Sequence, residues 1–165
     1  MIIKQAQTHA EICEVRTLFR EYETFLDVDL NFQSFEQELA ALPGKYAPPD
    51  GALLIAVHGD KIAGCVALRR LDTLVCEMKR LYVRPVARGA GLGRRLAREI
   101  IAIARDRGYS LMRLDTLYRL TQAMRLYESL GFHRTDPYYA NPLPGVVYWE
   151  MQLQPQAAES PPAGG

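Results

Sequence analysis

The stretch Glu77-Met78-Lys79-Arg80-Leu81-Tyr82-Val83-Arg84-Pro85-Val86-Ala87-Arg88-Gly89-Ala90-Gly91-Leu92-Gly93-Arg94-Arg95-Leu96 decides the fold. Tyr82 and Val83 favour a strand, and Pro85 ends it because proline has no N–H to give to a ladder. Gly89, Gly91 and Gly93 then form a tight turn. From Leu92 the apolar residues Leu92, Leu96, Ile100, Ile101 and Ala104 recur at three- and four-residue steps, which predicts a helix. A glycine turn opening a helix leaves backbone N–H groups unpaired and aimed one way. With the helix dipole this makes an anion site. Arg84, Arg88, Arg94 and Arg95 add fixed positive charge around it. No Gly-Lys-Ser/Thr closes the turn, so it is not a Walker loop. It is a poor dinucleotide fingerprint too, because its strand lies far from the N-terminus and no βαβ unit with a ribose-binding acid follows.

Working outward, the chain reads β, α, α, β, β, β, α, β, α, β, β. Ile2 and Ile3 predict a first strand. Thr8 and Glu11 form a capping box for a helix carrying Ile12, Val15, Leu18, Phe19, Tyr22 and Leu26 on one side, ended near Asp27. A second helix is expected from about Ser34 to Leu42, stopped by Pro43-Gly44. Residues 53–57, 62–71 and 77–83 read as three successive antiparallel strands, with Gly64 marking a bulge or close packing. The long helix runs from about Gly91 to Arg107, capped by Gly108. Leu111–Leu117 reads as a buried strand, Thr121–Leu130 as a helix capped by Gly131, and Val146–Leu153 as the last strand. The β-turn-α-β segment places two strands parallel through a right-handed crossover. The fold class expected is therefore α/β, mixed, on one domain over residues 1–153. Residues 154–165, rich in Pro, Ala and Gly without periodicity, are expected to be a disordered tail.

A net charge of +1 over 165 residues argues against a nucleic-acid binder driven by bulk charge. No apolar run is long enough for a bilayer span, so no membrane partner is expected. Cys13, Cys65 and Cys76 are odd in number and lack metal-ligand spacing, so no metal is expected. Without a signal-peptide layout, reduced thiols and a cytoplasmic location are expected, Cys65 and Cys76 being buried structural thiols.

Arg88, Gly91 and Gly93 match in register the pyrophosphate motif Arg/Gln-x-x-Gly-x-Gly/Ala of the GNAT family of N-acetyltransferases, and the chain resembles that family. A second signature, Ala-x-x-Leu-Tyr-x-x-x-Gly-Phe, is similar to Ala123, Leu126, Tyr127, Gly131 and Phe132. The element order is also the family's, so the resemblance spans roughly residues 2–153. It implies a central mixed sheet of about six to seven strands, helices on both faces, and two parallel strands that splay where acetyl-CoA enters. It implies that Arg88, Gly89, Ala90, Gly91, Leu92 and Gly93 hold the pyrophosphate, with Arg94 in support. Leu81, Tyr82 and Val83 would then offer backbone groups to the pantetheine arm along an irregular strand. Many members carry an asparagine where this chain has Leu120; Thr121 or Gln122 could substitute.

Acetyl transfer to an amine needs a base, a donor for the developing oxyanion, and an acid for the leaving thiolate. The resemblance places Tyr127 as the acid, although its periodicity also fits a core tyrosine. Glu77 is the candidate base; it could equally be a carboxylate paired with Arg69, Arg70 or Lys79, and Asp115 and Glu150 are alternatives. The resemblance puts the acceptor among the first two helices and the 137–145 loop, where Tyr22, Phe25, Tyr46, Tyr138, Tyr139 and Asn141 are candidates. With no acidic cluster, a mono-amine or amino-acid-like acceptor is expected over a polyamine. The function implied is N-acetylation of a small-molecule or peptide amine by direct attack in a ternary complex. The alternative is a non-catalytic acyl-CoA sensor on the same fold. The apolar last strand would allow a homodimer, as the family often forms.

Overall fold

The computed structural model describes residues 1–154. Seven strands and four helices follow in the expected order: β1 (Ile2–Gln5), α1 (His9–Leu26), α2 (Phe35–Ala41), β2 (Ala52–His58), β3 (Lys61–Asp72), β4 (Val75–Val83), α3 (Leu92–Asp106), β5 (Leu111–Leu117), α4 (Thr121–Leu130), β6 (His133–Thr135) and β7 (Val146–Gln152). They make one mixed sheet in the order β1-β2-β3-β4-β5-β7-β6. The expected tail from 155 onward lies outside the described residues. Gln154, expected to begin that tail, is instead anchored. Its amide donates to the carbonyls of Arg105 and Tyr109 at 3.1 and 3.2 Å.

Each helix buries the face its periodicity marks. The capping box of α1 forms: Thr8 Oγ1 accepts from the Glu11 amide at 3.1 Å, and Glu11 accepts from the Thr8 amide at 3.0 Å. Val15, Leu18 and Phe19 of α1 meet Phe35 and Leu39 of α2 over Leu53 and Ile55, forming the core on one face of the sheet. Leu96, Ile100 and Ala104 of α3 pack with Tyr127 and Phe132 over Leu54, Val66, Met78 and Met112 on the other. Cys65 and Cys76 are buried in these two separate cores, as free thiols. Burial pushes both thiols up to about 12, which keeps them protonated and inert.

Two irregularities shape the middle of the sheet. β4 and β5 are parallel, but they pair only at Val75–Leu111, Cys76–Met112 and Glu77–Arg113. Beyond Glu77 they part. In the same region β4 carries one extra residue against β3, between the pairs Ala67–Lys79 and Cys65–Tyr82. Arg80 sits at this bulge with φ of 59°, a left-handed backbone that non-glycine residues adopt rarely. The bulge resets the alternation of β4. Met78, Leu81 and Val83 pack towards α3, whereas Glu77, Lys79, Arg80 and Tyr82 project to the side of α1 and α2.

β7 lies between β5 and β6, so both its edges are paired within the chain. Its apolar Tyr148, Trp149 and Met151 are buried in the same molecule. The apolar pattern that suggested a pairing surface is thus accounted for by intrachain packing.

Gly64 allows β3 to approach the bulged part of β4. A Cβ there would stand 2.7 Å from the Tyr82 carbonyl oxygen and 3.4 Å from Val83 Cα. Both neighbours are backbone, so the strand itself would have to move. A Gly64→Ala variant is expected to lose about 1–3 kcal/mol, read as a lower urea midpoint at unchanged slope.

Candidate active site

Where β4 and β5 part, a cleft of about 540 Å³ opens. Its floor is Leu81, Tyr82 and Val83 of β4. One wall is the glycine turn and the start of α3, and the other is Asp115 and Thr116 of β5 with the first turns of α4. Gly91 is the N-cap of α3, with φ of 75° and no side chain to cap the helix. No acidic residue occupies the first turn. The leading amides of α3 are therefore left for a ligand, and the unopposed dipole favours an anion. A Cβ on Gly91 would meet nothing within 4 Å, so glycine is required there by backbone conformation rather than by space.

Arg88 stands beside these amides. Its Nε donates to the Val83 carbonyl at 2.9 Å, and its guanidinium lies 4.7 Å from the centre of the Phe25 ring. These contacts orient the side chain and leave its terminal nitrogens for a second acceptor. Phe25 therefore lines this cleft beside Arg88, away from the Tyr138–Asn141 loop with which it was grouped as an acceptor candidate. Gly89, Leu92 and Gly93 also line the cleft. Ala90 instead borders a separate groove with Met1 and Val86, and Arg94 lies half-buried outside the cleft lining. Leu120, Thr121 and Gln122 all face the cleft, where the family asparagine would stand.

Tyr127 closes the deep end. It is buried against Phe132 at a ring separation of 5.9 Å and still reaches the cleft. Burial pushes its phenol well above the ordinary value, helped by Tyr22 and Asp115 nearby. The hydroxyl therefore stays protonated at neutral pH. Tyr22 faces Tyr127 from α1 and is pushed by burial up to about 12. Tyr22, Asp115 and Thr116 line both this cleft and a narrow cavity beyond it, which also touches Gln33, Arg80 and Asn141.

The expected acceptor residues gather on that far side. Tyr139 donates to Asp115 Oδ2, and Asn141 bonds both the Tyr139 hydroxyl at 2.8 Å and Asp115 Oδ2 at 3.3 Å. Tyr138 donates to Glu77 Oε2 at 2.5 Å. Tyr46 lies deeper, only 2% exposed, donating to Glu38 at 2.9 Å.

Glu77 is fully buried and does not line the cleft. Besides Tyr138 it holds Arg69 Nε at 2.8 Å and Lys79 Nζ at 3.7 Å, so two of the three pairings considered from sequence occur. Arg70 turns away to Asp50 and the Asp72 carbonyl. Burial alone would raise the Glu77 carboxyl. The charges of Lys79 and Arg69 and the bonds from Tyr138 and Arg69 outweigh it, and the group titrates below its ordinary value.

Sequence reasoning passed over Arg80, Gln33 and Glu38. Arg80 is 4% exposed and bonds Glu38 through Nε at 3.0 Å and Nη2 at 3.1 Å. The available signal was the charged run Glu77, Lys79, Arg80 inside a strand flanked by apolar partners. Only the bulge puts all three charges on one side.

Residues 12–132 match the Acetyltransferase (GNAT) family. The chain belongs to that family. It is 46% identical over 146 residues to an uncharacterized N-acetyltransferase of Schizosaccharomyces pombe, covering 87% of this chain and 89% of that protein. Among solved structures it is similar to a GNAT-family acetyltransferase of Staphylococcus aureus, with a TM-score of 0.74 at 19% identity over 93% of this chain and 99% of the other. It is also similar to an acetyltransferase of Salmonella typhimurium solved with its cofactor acetyl-CoA, with a TM-score of 0.68 at 20% identity over 98% of both chains. Members of the family act on amines of small molecules or proteins. Among the described residues no cluster of metal-ligating side chains occurs, and no helix is long and apolar enough to cross a membrane.

The depressed Glu77 carboxyl has a consequence for stability. Its contribution is present above the ordinary value of 4.5 and is lost as pH falls through the lower folded value. Glu77→Gln should cost about 3 kcal/mol at neutral pH by stranding Arg69 and Lys79. Urea midpoints of the variant and the parent should converge as pH drops below 4.5.

Proposed function

We propose that this protein transfers the acetyl group of acetyl-CoA to a primary amine of a small molecule or peptide, the amine attacking directly in a ternary complex. One observation carries this reading: the cleft formed by the parting of β4 and β5 has an anion cradle at one end and the Tyr127 hydroxyl at the other. Both ends fit the cosubstrate. The uncapped amides of α3, with Arg88 oriented beside them, suit a pyrophosphate. Past Glu77 the β4 edge facing β5 is unpaired, which suits an extended amide-bearing arm, with Thr121 and Gln122 on the opposite wall.

Bound acetyl-CoA supplies an acyl group activated as a thioester. The chain supplies position and protons. Leu81 and Tyr82 lend main-chain groups along the cleft floor, and a backbone N–H there is the candidate donor to the carbonyl oxygen. Tyr127, held neutral by burial, gives its proton to the departing thiolate. On the amine side we assign the base to Asp115 rather than Glu77. Asp115 lines both the cleft and the cavity beyond, while Glu77 is enclosed by Arg69, Lys79 and Tyr138. Glu77 then acts as a positioning residue, holding Tyr138 and Lys79 in place. Tyr139 and Asn141 orient Asp115 in the same manner.

Purified protein given acetyl-CoA and a panel of amines should release free CoA; tight acetyl-CoA binding that no amine ever turns over would favour a sensor instead. Gly91→Glu places a side chain on a left-handed N-cap and a negative charge at the cradle, and calorimetry should then show acetyl-CoA binding abolished. Normal binding by that variant would overturn the cradle. Tyr127→Phe and Asp115→Asn should each lower kcat by about 10²-fold, with the acetyl-CoA KM little changed; unchanged turnover across pH would remove both roles.

A further inference from the structure

On the far side of Tyr139, whose hydroxyl bonds Asp115, lies a chamber of about 390 Å³, enclosed by the one-turn helix Asn31–Gln33, α2, β3, β4 and the loop at Tyr139. That is room for a small molecule. Its charged lining is Glu38, Lys45, Arg69 and Lys79. Most of these charges pair off. Glu38 of α2 takes Arg80 through two bonds, and also the Tyr46 hydroxyl. Glu77, behind the wall, takes Arg69 and Tyr138.

Lys79 is left over. The carboxylate oxygen it approaches, Glu77 Oε1, lies 3.7 Å away and is already bonded by Arg69 at 2.8 Å. Its short bond, at 3.0 Å, goes to Gln33 Oε1, a neutral amide that also accepts from Arg80 Nη2 at 3.0 Å. Yet the Lys79 side chain is only 9% exposed. Holding an ammonium in such a place on a long ion pair that it shares with Arg69 is costly. Burial and the adjacent Arg80 push Lys79 below its ordinary value, against the pull of Glu77 and Asp115. Lys45 adds a further positive charge to the lining. The chamber therefore carries an excess of cation and, in Lys79, a donor with bonds to spare.

We propose that the acceptor amine carries a carboxylate, which binds Lys79 in this chamber while its nitrogen lies at Asp115 and Tyr22. The proposal rests on the reading of that junction as the place where the amine meets the acyl donor. Gln33 lines both the chamber and the narrow cavity at Asp115, and Asp115 is near enough to act on the charge of Lys79, so the two groups stand within reach of the two ends of one small molecule that displaces the Gln33 amide. A carboxylate on Lys79 gains a charge-assisted bond in a dry setting. A second ammonium in the same place would face Lys79, Arg69 and Arg80, which selects against polyamines. The substrate class is thus an amino acid or a similar small amino-carboxylate.

The test pairs the twenty protein amino acids, β-alanine and 4-aminobutyrate with their carboxamides, at saturating acetyl-CoA. At least one acid should be acetylated with a kcat/KM about tenfold or more above its amide, the difference lying in KM. In Lys79→Met that preference should collapse towards one, and Lys79→Arg should restore part of it. When Lys79 is removed Glu77 keeps Arg69 at 2.8 Å and Tyr138 at 2.5 Å, so the Met variant should melt close to the parent. A lower melting point together with an unchanged preference would make Lys79 structural and overturn the assignment. Amides used as well as acids would overturn it too. So would a panel with no turnover by protein that binds acetyl-CoA normally in calorimetry. Absence of acetyl-CoA binding would instead overturn the reading of the cleft.

Discussion

β4 and β5 hold each other over only three residue pairs, and the site depends on that short ladder. Up to Glu77 the two strands share a sheet. Past it, β4 remains fixed by β3 and β5 by β7, so the gap between them is kept open by pairing on both outer sides. A bulge at Arg80 falls where the strands diverge, and a bulge bends and twists the strand that carries it. The cleft is in this sense a defect in the sheet, held by hydrogen bonds that the rest of the sheet supplies.

The bulge also determines the electrostatics. It places Glu77, Lys79 and Arg80 on the side of α1 and α2, under cover of Glu38, Gln33 and the Tyr138–Tyr139 pair. Buried charges of this kind are tolerated because nearly all are matched and bonded. Tyr138 and Tyr139 tie the loop to the two carboxylates, Glu77 and Asp115, and their rings meet Tyr148 edge to face at 5.4 and 5.7 Å. The 137–145 loop is therefore part of the site's framework as well as its cover.

The elements were legible in the sequence because each rested on a local signal. The Thr8–Glu11 capping box, the period of α3, the Gly108 and Gly131 stops and the alternation of β7 are read within a few residues of themselves. The glycine turn with Arg88 beside it was legible for the same reason, since Gly91 and Arg88 lie close in sequence. The acceptor side was legible only in part. Tyr138, Tyr139 and Asn141 were picked out as polar aromatics in one loop, but their partners Glu77 and Asp115 lie on distant strands. Arg80 and Gln33 were missed because a charged residue in a strand reads as solvent-facing, and a glutamine in a short turn carries no period.

By itself the sequence determined the order of elements, the two core faces and the position of a glycine-capped helix start with free leading amides. These follow from hydrophobic period, capping and glycine, all short-range. It also placed Tyr127 on the apolar face of α4. Only the tertiary structure decided which carboxylate opens on the cleft and which is closed away. Glu77 and Asp115 both sit on central strands with neighbouring polar residues. What separates them is their place relative to the last β4–β5 pair: Glu77 is within the ladder and is sealed by Arg69, Lys79 and Tyr138, while Asp115 lies past it and lines the gap. The outcome depends on where two strands stop pairing, a property of the packed sheet that neither strand encodes alone.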